Sequence, residues 1–149
     1  MIYKGKLPVK NVKSVGAIII NDQQKVLILF QKQNRYWEFP KGKVELGEEN
    51  DELDTLRREI FEEAGLKKIK VIKEFRHGFN YQFKFDNFLI KKNNIFYLAK
   101  TIEPEEVVLS DEHLEYKWVS LPAVNRFFKH KNQRVLIYKL REFLSPPGK

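Results

Sequence analysis

Gly42 to Leu66 reads GKVELGEENDELDTLRREIFEEAGL, and the period of its apolar residues changes at Asp51. Leu53, Leu56, Ile60 and Ala64 recur at three- and four-residue steps with Gly65 as a stop, which predicts one amphipathic helix. Glu59, Glu62 and Glu63 stand at i, i+3 and i+4 of the same segment and so share a helix face. At about 100° per residue this acidic stripe is centred roughly 110° from the apolar one, so the helix can bury one face and present the other. Two carboxylates about 6 Å apart repel by about 3 kcal/mol at an effective dielectric of about 20, so the trio calls for cations or protons. Carboxylates completed by water and phosphate oxygens suit hard divalent ions. An ordinary solvated helix face also carries such acids. What separates this one is its turn-rich lead-in, where Gly42 and Gly47 bracket Lys43-Val44-Glu45-Leu46. Arg58, four residues before Glu62, is placed to orient it through an ion pair contributing only about 0.3–0.5 kcal/mol.

Upstream, Val12–Ile20 and Lys25–Phe30 are β-rich runs around Asn21-Asp22-Gln23-Gln24 and predict a hairpin. Trp37-Glu38-Phe39-Pro40-Lys41-Gly42 reads as irregular or at most a short strand, because of Pro40 and Gly42. Downstream, Lys68–His77, Asn80–Phe85 and Ile95–Thr101 have strand composition, with Gly78 and Lys91–Asn94 as turns, and Tyr116–Val119 is a further short strand. Ser120 is placed to cap a helix from Leu121 toward Phe128, and Val135–Leu144 carries a second helical stripe before Pro146-Pro147-Gly148. The layout is α/β: a mixed β-sheet with about three helices as an α/β/α sandwich.

At 149 residues and 42% hydrophobic content, a single domain over residues 1–149 is expected. Without cysteine there is no thiolate site, and three histidines argue against zinc. No apolar run approaches the roughly 18 residues of a spanning helix, and Met1–Lys13 lacks the apolar segment of a secretory signal, so a cytoplasmic protein without a membrane partner is expected. The balance of 28 basic against 20 acidic residues gives +8, which favours a polyanionic partner such as a nucleotide or RNA without choosing among them. Much of the lysine content also fits a plain solvated surface.

The 42–66 segment resembles the Nudix box: Gly, five residues, Glu, seven residues, then Arg-Glu-aliphatic-any-Glu-Glu-any-Gly-aliphatic. Gly42, Glu48, Arg58, Glu59, Ile60, Glu62, Glu63, Gly65 and Leu66 fill its specified positions, with nine rather than seven residues between Glu48 and Arg58. The departure reads as a two-residue insertion just after Glu48. Outside the box, Trp37–Gly42, Phe79-Asn80-Tyr81, Ile95–Ala99, Leu109-Ser110-Asp111-Glu112-His113 and Tyr116-Lys117-Trp118 resemble the diadenosine tetraphosphate hydrolase branch.

The resemblance implies that Glu59, Glu62, Glu63 and Glu112 hold magnesium, or manganese in its place, on the phosphate chain of a nucleoside polyphosphate. It also implies water attack on a phosphoanhydride bond, diadenosine tetraphosphate giving ATP and AMP. Glu112 and Glu59 are both candidates for the base that takes the proton of the attacking water. Lys41 and Lys92 are candidate phosphate contacts. Tyr81 would stack on an adenine, with a ring from Phe127-Phe128-Lys129-His130 closing the other side; for Phe127 and Phe128, core packing competes with that role. Trp37 and Trp118 are expected to be structural. An RNA 5′ end is the alternative substrate, and a non-catalytic nucleotide-binding module is the alternative from another class. One copy of the chain is expected to suffice.

Overall fold

The computed structural model describes residues 6–45, 47 and 51–145. β1 (Val9–Ile20) and β2 (Lys25–Gln31) meet antiparallel at Ile20 and Val26. The Asn21 carboxamide oxygen accepts from the Gln23 and Lys25 amides at 3.0 and 2.9 Å and so shapes the turn. β3 (Trp37–Glu38) pairs with β2, whereas β4 (Lys41–Lys43) pairs with β1 through Ser14, Val15 and Gly16. Segment 37–43 thus spans an opening between the first two strands. The Ala17 amide donates to Pro40 O at 3.0 Å across it.

β5 (Ile69–Phe85) and β6 (Phe88–Thr101) form a long hairpin, β6 runs parallel to β1, and β7 (His113–Ser120) pairs with β2. The sheet is therefore mixed, in the order β3-β2-β1-β6-β5. Helix α1 (Glu52–Ala64) covers one face over a core that includes Val15, Ala17, Leu29, Leu56 and Ile60. Helices α2 (Leu121–Val124) and α3 (Lys131–Leu144) cover the other over Ile18, Ile28, Phe96, Phe128 and Ile137. This is the expected α/β/α sandwich. Among the described residues no helix is long and apolar enough to cross a membrane.

Helix α1 begins and ends where its sequence says. Asp51 Oδ1 accepts from the Leu53 and Asp54 amides at 3.0 and 3.2 Å, and Gly65 closes the helix at φ +72°. Three other expectations need correction. Gly78 is not a turn but lies inside β5, where an added Cβ would come within 2.5 Å of Asn94 O; its role is close backbone approach. Lys91–Asn94 likewise lies inside β6, and the hairpin turns at Asp86-Asn87, both at positive φ. Ser120 precedes α2 without a side-chain cap bond, and the helix ends at Val124, short of Phe128.

The first turn of α1 is tied to the sheet through Glu52. Its carboxylate meets Lys13 Nζ at 2.6 Å and Arg76 Nη2 and Nε at 2.7 and 2.9 Å, and accepts from the Tyr97 hydroxyl. The Arg76 guanidinium, working against burial and joined by Lys13 and Tyr97, holds the Glu52 carboxyl well below its ordinary value of 4.5. A pKa depressed in the folded state stabilises above pH 4.5, and that contribution fades as pH falls toward the folded value. Glu52→Gln is therefore expected to lower Tm by about 3–8 °C at pH 7. In thermal melts this gap should narrow below about pH 4; a gap independent of pH would contradict the account.

Candidate active site

The acidic face of α1 is more buried than its sequence suggests. Glu59 and Glu63 are each 6% exposed, while the Glu62 side chain is 54% exposed. Arg58 lies among these groups: Nη1 meets Glu59 Oε1 at 2.7 Å, Glu62 Oε2 at 3.1 Å and Glu45 Oε1 at 3.4 Å, and Nη2 donates to Lys43 O at 2.9 Å. It therefore pins the glycine-rich lead-in to the helix as well as orienting Glu62. Gly42 passes directly over Glu59, where an added Cβ would sit 1.9 Å from the carboxyl carbon. Only a residue without a side chain allows that approach. Burial, opposed by Arg58 and reinforced by Glu62 and Glu63, raises the Glu59 carboxyl to about 7. Glu48 and the insertion after it lie outside the described residues.

Glu63 belongs to a second set of contacts. Ser110 Oγ donates to Glu63 Oε2 at 3.1 Å, and His113 Nδ1 approaches the same oxygen at 2.8 Å, near enough for an ion pair but poorly aligned for a hydrogen bond. On its other side, His113 Nε2 lies 2.8 Å from Glu38 Oε2. The buried imidazole thus bridges two carboxylates. Burial disfavours its charge, but Glu38 and Glu63 more than offset this and raise His113 to about 9, so it is a cation at neutral pH. Burial would likewise raise Glu63, yet His113, Glu112 and Ser110 together hold it low. Glu112 is raised, first by sharing a hydrogen bond with Glu63, then by that group's charge and by burial. Glu112 thus lies beside Glu63, across a shared hydrogen bond.

Glu38 also lines a cavity of about 650 Å³ with Lys41, Tyr81, Phe79, Phe96 and His130. The His130 ring meets Tyr36 edge-on at 4.9 Å, and Phe79 stacks on Phe96 at 5.9 Å. Asn94, buried in the cavity wall, has no protein partner for Nδ2 among the described residues. An unmet donor in an aromatic cleft suits the acceptor edge of a base. Lys92 is half-buried just outside; burial, then the nearby Lys43 ammonium, lowers its pKa, and Lys41 lies beside it. A phosphate would relieve that crowding of cations.

Of the residues singled out from sequence, Lys41, Tyr81 and His130 line the cavity, and Lys92 lines an adjoining cleft with Tyr81. Phe128 does not line it. It is 5% exposed and packs on Phe39 at 4.8 Å, because the turn after α2 carries it into the core beneath the cavity wall. Trp37 packs with Phe30 and Phe127, and Trp118 packs against the α1-side core. Sequence reasoning missed Glu38, Asn94 and Phe79. A signal existed for Glu38, since a lone carboxylate between Trp37 and Phe39 in a short strand must point away from both rings.

The donor set fits a hard divalent cation. Glu59 is pushed toward its protonated form by burial and like charges, a condition that a bound cation reverses, and its carboxyl lies in the cradle left by Gly42. Among the described residues no three histidine or carboxylate side chains are gathered closely enough to encage an ion. Water and phosphate oxygens would have to complete the ligand sphere.

The fold and this carboxylate helix define a class. The sequence profile of the NUDIX domain matches residues 10–140, so the chain belongs to the NUDIX family, as one of its pyrophosphohydrolases. It is 33% identical over 122 residues to the asymmetrical bis(5′-nucleosyl)-tetraphosphatase of Sus scrofa, covering 78% of this chain and 79% of that protein. It is 26% identical over 159 residues to the RNA pyrophosphohydrolase of Bartonella bacilliformis, covering 89% and 92%. The crystal structure of a C. elegans Ap4A hydrolase binary complex superposes with a TM-score of 0.78 at 27% identity, covering 89% of this chain and 97% of that one. Divalent metals are the general cofactors of the family.

Proposed function

We propose that the chain hydrolyses dinucleoside polyphosphates, cutting diadenosine tetraphosphate to ATP and AMP with magnesium or manganese bound. One observation carries this: an aromatic cavity with an unmet Asn94 donor opens onto Glu38, and His113 links Glu38 to Glu63 on the carboxylate helix. A base seated against Tyr81 would direct its phosphates past Lys41 and Lys92 toward α1. Glu59, Glu62 and Glu63, with Glu112, would hold the cation, which when bound lowers the pKa of an attacking water and screens phosphate charge. Glu112 and Glu59 are the candidates for the group that takes a proton, since the pKa of each is raised above its ordinary value. His113 keeps the Glu63 carboxylate ionised and oriented. Product analysis tests the reading: ATP plus AMP from diadenosine tetraphosphate supports it, and strong preference for 5′-triphosphorylated RNA overturns it.

Tyr81→Ala is expected to raise KM roughly 10-fold, with kcat changed far less, because a stacking ring contributes about 1–3 kcal/mol of binding. Steady-state kinetics would show this; unchanged KM would remove Tyr81 from the site.

A further inference from the structure

We propose that the β5–β6 hairpin is a stacking platform for the bases of a single-stranded oligonucleotide, running from the cavity mouth outward. Phe79, Tyr81, Phe83 and Phe85 alternate onto one face of β5, opposite Asn94, Lys92, Ile90 and Phe88 of β6. Their rings form a graded row. Phe79 and Tyr81 are 6.3 Å apart and 21° from parallel, and Tyr81 and Phe83 are 6.1 Å apart at 28°. Exposure along the row is 43% at Tyr81, 44% at Phe83 and 67% at Phe85, with Phe88 at 40%. On β5, the aromatic contact of α3 is Phe143 on Phe75, before the row begins. Strand formation alone does not need three exposed rings in a line, since other β-formers would serve as well.

Charge selects the occupant. Among residues 6–14 and 79–94, six lysines stand against a single acidic side chain, Asp86; Lys10 and Lys92 share the face of the rings, whereas Lys13, Lys84 and Lys91 alternate onto the other. Register puts Lys92 beside Tyr81, and Lys10 beside Ile90 in the row of Phe83. Flat rings flanked by ammonium groups suit bases joined by an anionic backbone, and stacking is tolerant of base identity. Phe79 and Tyr81 both line the aromatic cavity and stack in sequence, so the platform is continuous with the cavity. Only the placing of the strand's end in that cavity rests on the functional reading above.

The test is a fluorescence-anisotropy titration with labelled 5′-hydroxyl oligonucleotides of about 10 nucleotides, as single-stranded RNA, single-stranded DNA and duplex. These probes have no phosphoanhydride bond, so binding is read independently of hydrolysis. Single strands are expected to bind more tightly than duplex, and the RNA and DNA arms show whether the sugar matters. Phe83→Ala with Phe85→Ala should weaken single-strand binding about 10-fold or more, and Phe83→Trp should restore part of it. Lys10→Ala should flatten the salt dependence by about 0.7 in log–log slope. Turnover of diadenosine tetraphosphate and Tm should be unchanged in the aromatic pair. Equal affinity for duplex, or binding indifferent to Phe83 and Phe85, would overturn the proposal. So would sedimentation showing that these rings mediate self-association without oligonucleotide binding. Retained binding with no dinucleotide turnover would sink the activity assigned above and leave the platform standing.

Discussion

Gly42→Ala is expected to reduce turnover by about 10²-fold or more while leaving the fold intact. The new Cβ would lie 1.9 Å from the Glu59 carboxyl carbon and 2.1 Å from both of its oxygens. No such overlap is tolerated, and the flexible Glu59 side chain moves more cheaply than β4, whose pairing to Val15 holds Gly42 in place. Gly42 is not in the left-handed region, so alanine brings no backbone strain of its own. The displaced carboxyl would leave Arg58 and the acidic face. Thermal melts should therefore show little change while kcat collapses. Combining Gly42→Ala with Glu59→Gln should add little further loss, as expected when both changes act through one group. Full activity in the alanine variant would show that the close approach of this glycine has no part in catalysis.

Glu63→Gln is expected to lower turnover by about 10²–10⁴-fold, and here the fold also responds. The amide keeps the shape of the side chain but loses the charge that partners His113 from one side, leaving a buried imidazolium with Glu38 alone. A stability loss on the order of 1–3 kcal/mol should accompany the loss of activity, and the His113 pKa should fall from about 9. Glu62→Gln separates the two effects. Its side chain is 54% exposed, so stability should stay within about 0.5 kcal/mol of the parent while activity falls. Steady-state turnover, thermal melts and NMR titration of His113 would check each part. Wild-type turnover in both variants would remove α1 from the chemistry.

These predictions rest unequally on sequence and on structure. The helix, its start at Asp51, its Gly65 stop and its shared acidic face were legible because they depend on local periodicity. The Asn21–Gln24 hairpin was legible for the same reason. Gly78 was misread because a glycine in a strand-like run signals either a turn or close backbone approach, and the two leave the same mark in the sequence. Phe128 and His130 are neighbours in one short segment, yet one enters the core and the other the cavity. No pattern of the segment itself distinguishes them.

By itself, then, the sequence determined that one helix carries three glutamates on a face beside a glycine-rich lead-in. Tertiary structure alone decided that Glu59 and Glu63 are buried while Glu62 is not, that Glu38 joins Glu63 through His113, and that the rings of β5 continue outward from the cavity. The reason is physical. Helix faces follow from a repeat of a few residues, whereas the meeting of Glu38 and His113, 75 positions apart, depends on β3 and β7 both pairing with β2. Strand register across such distances is set by the packing of the whole core.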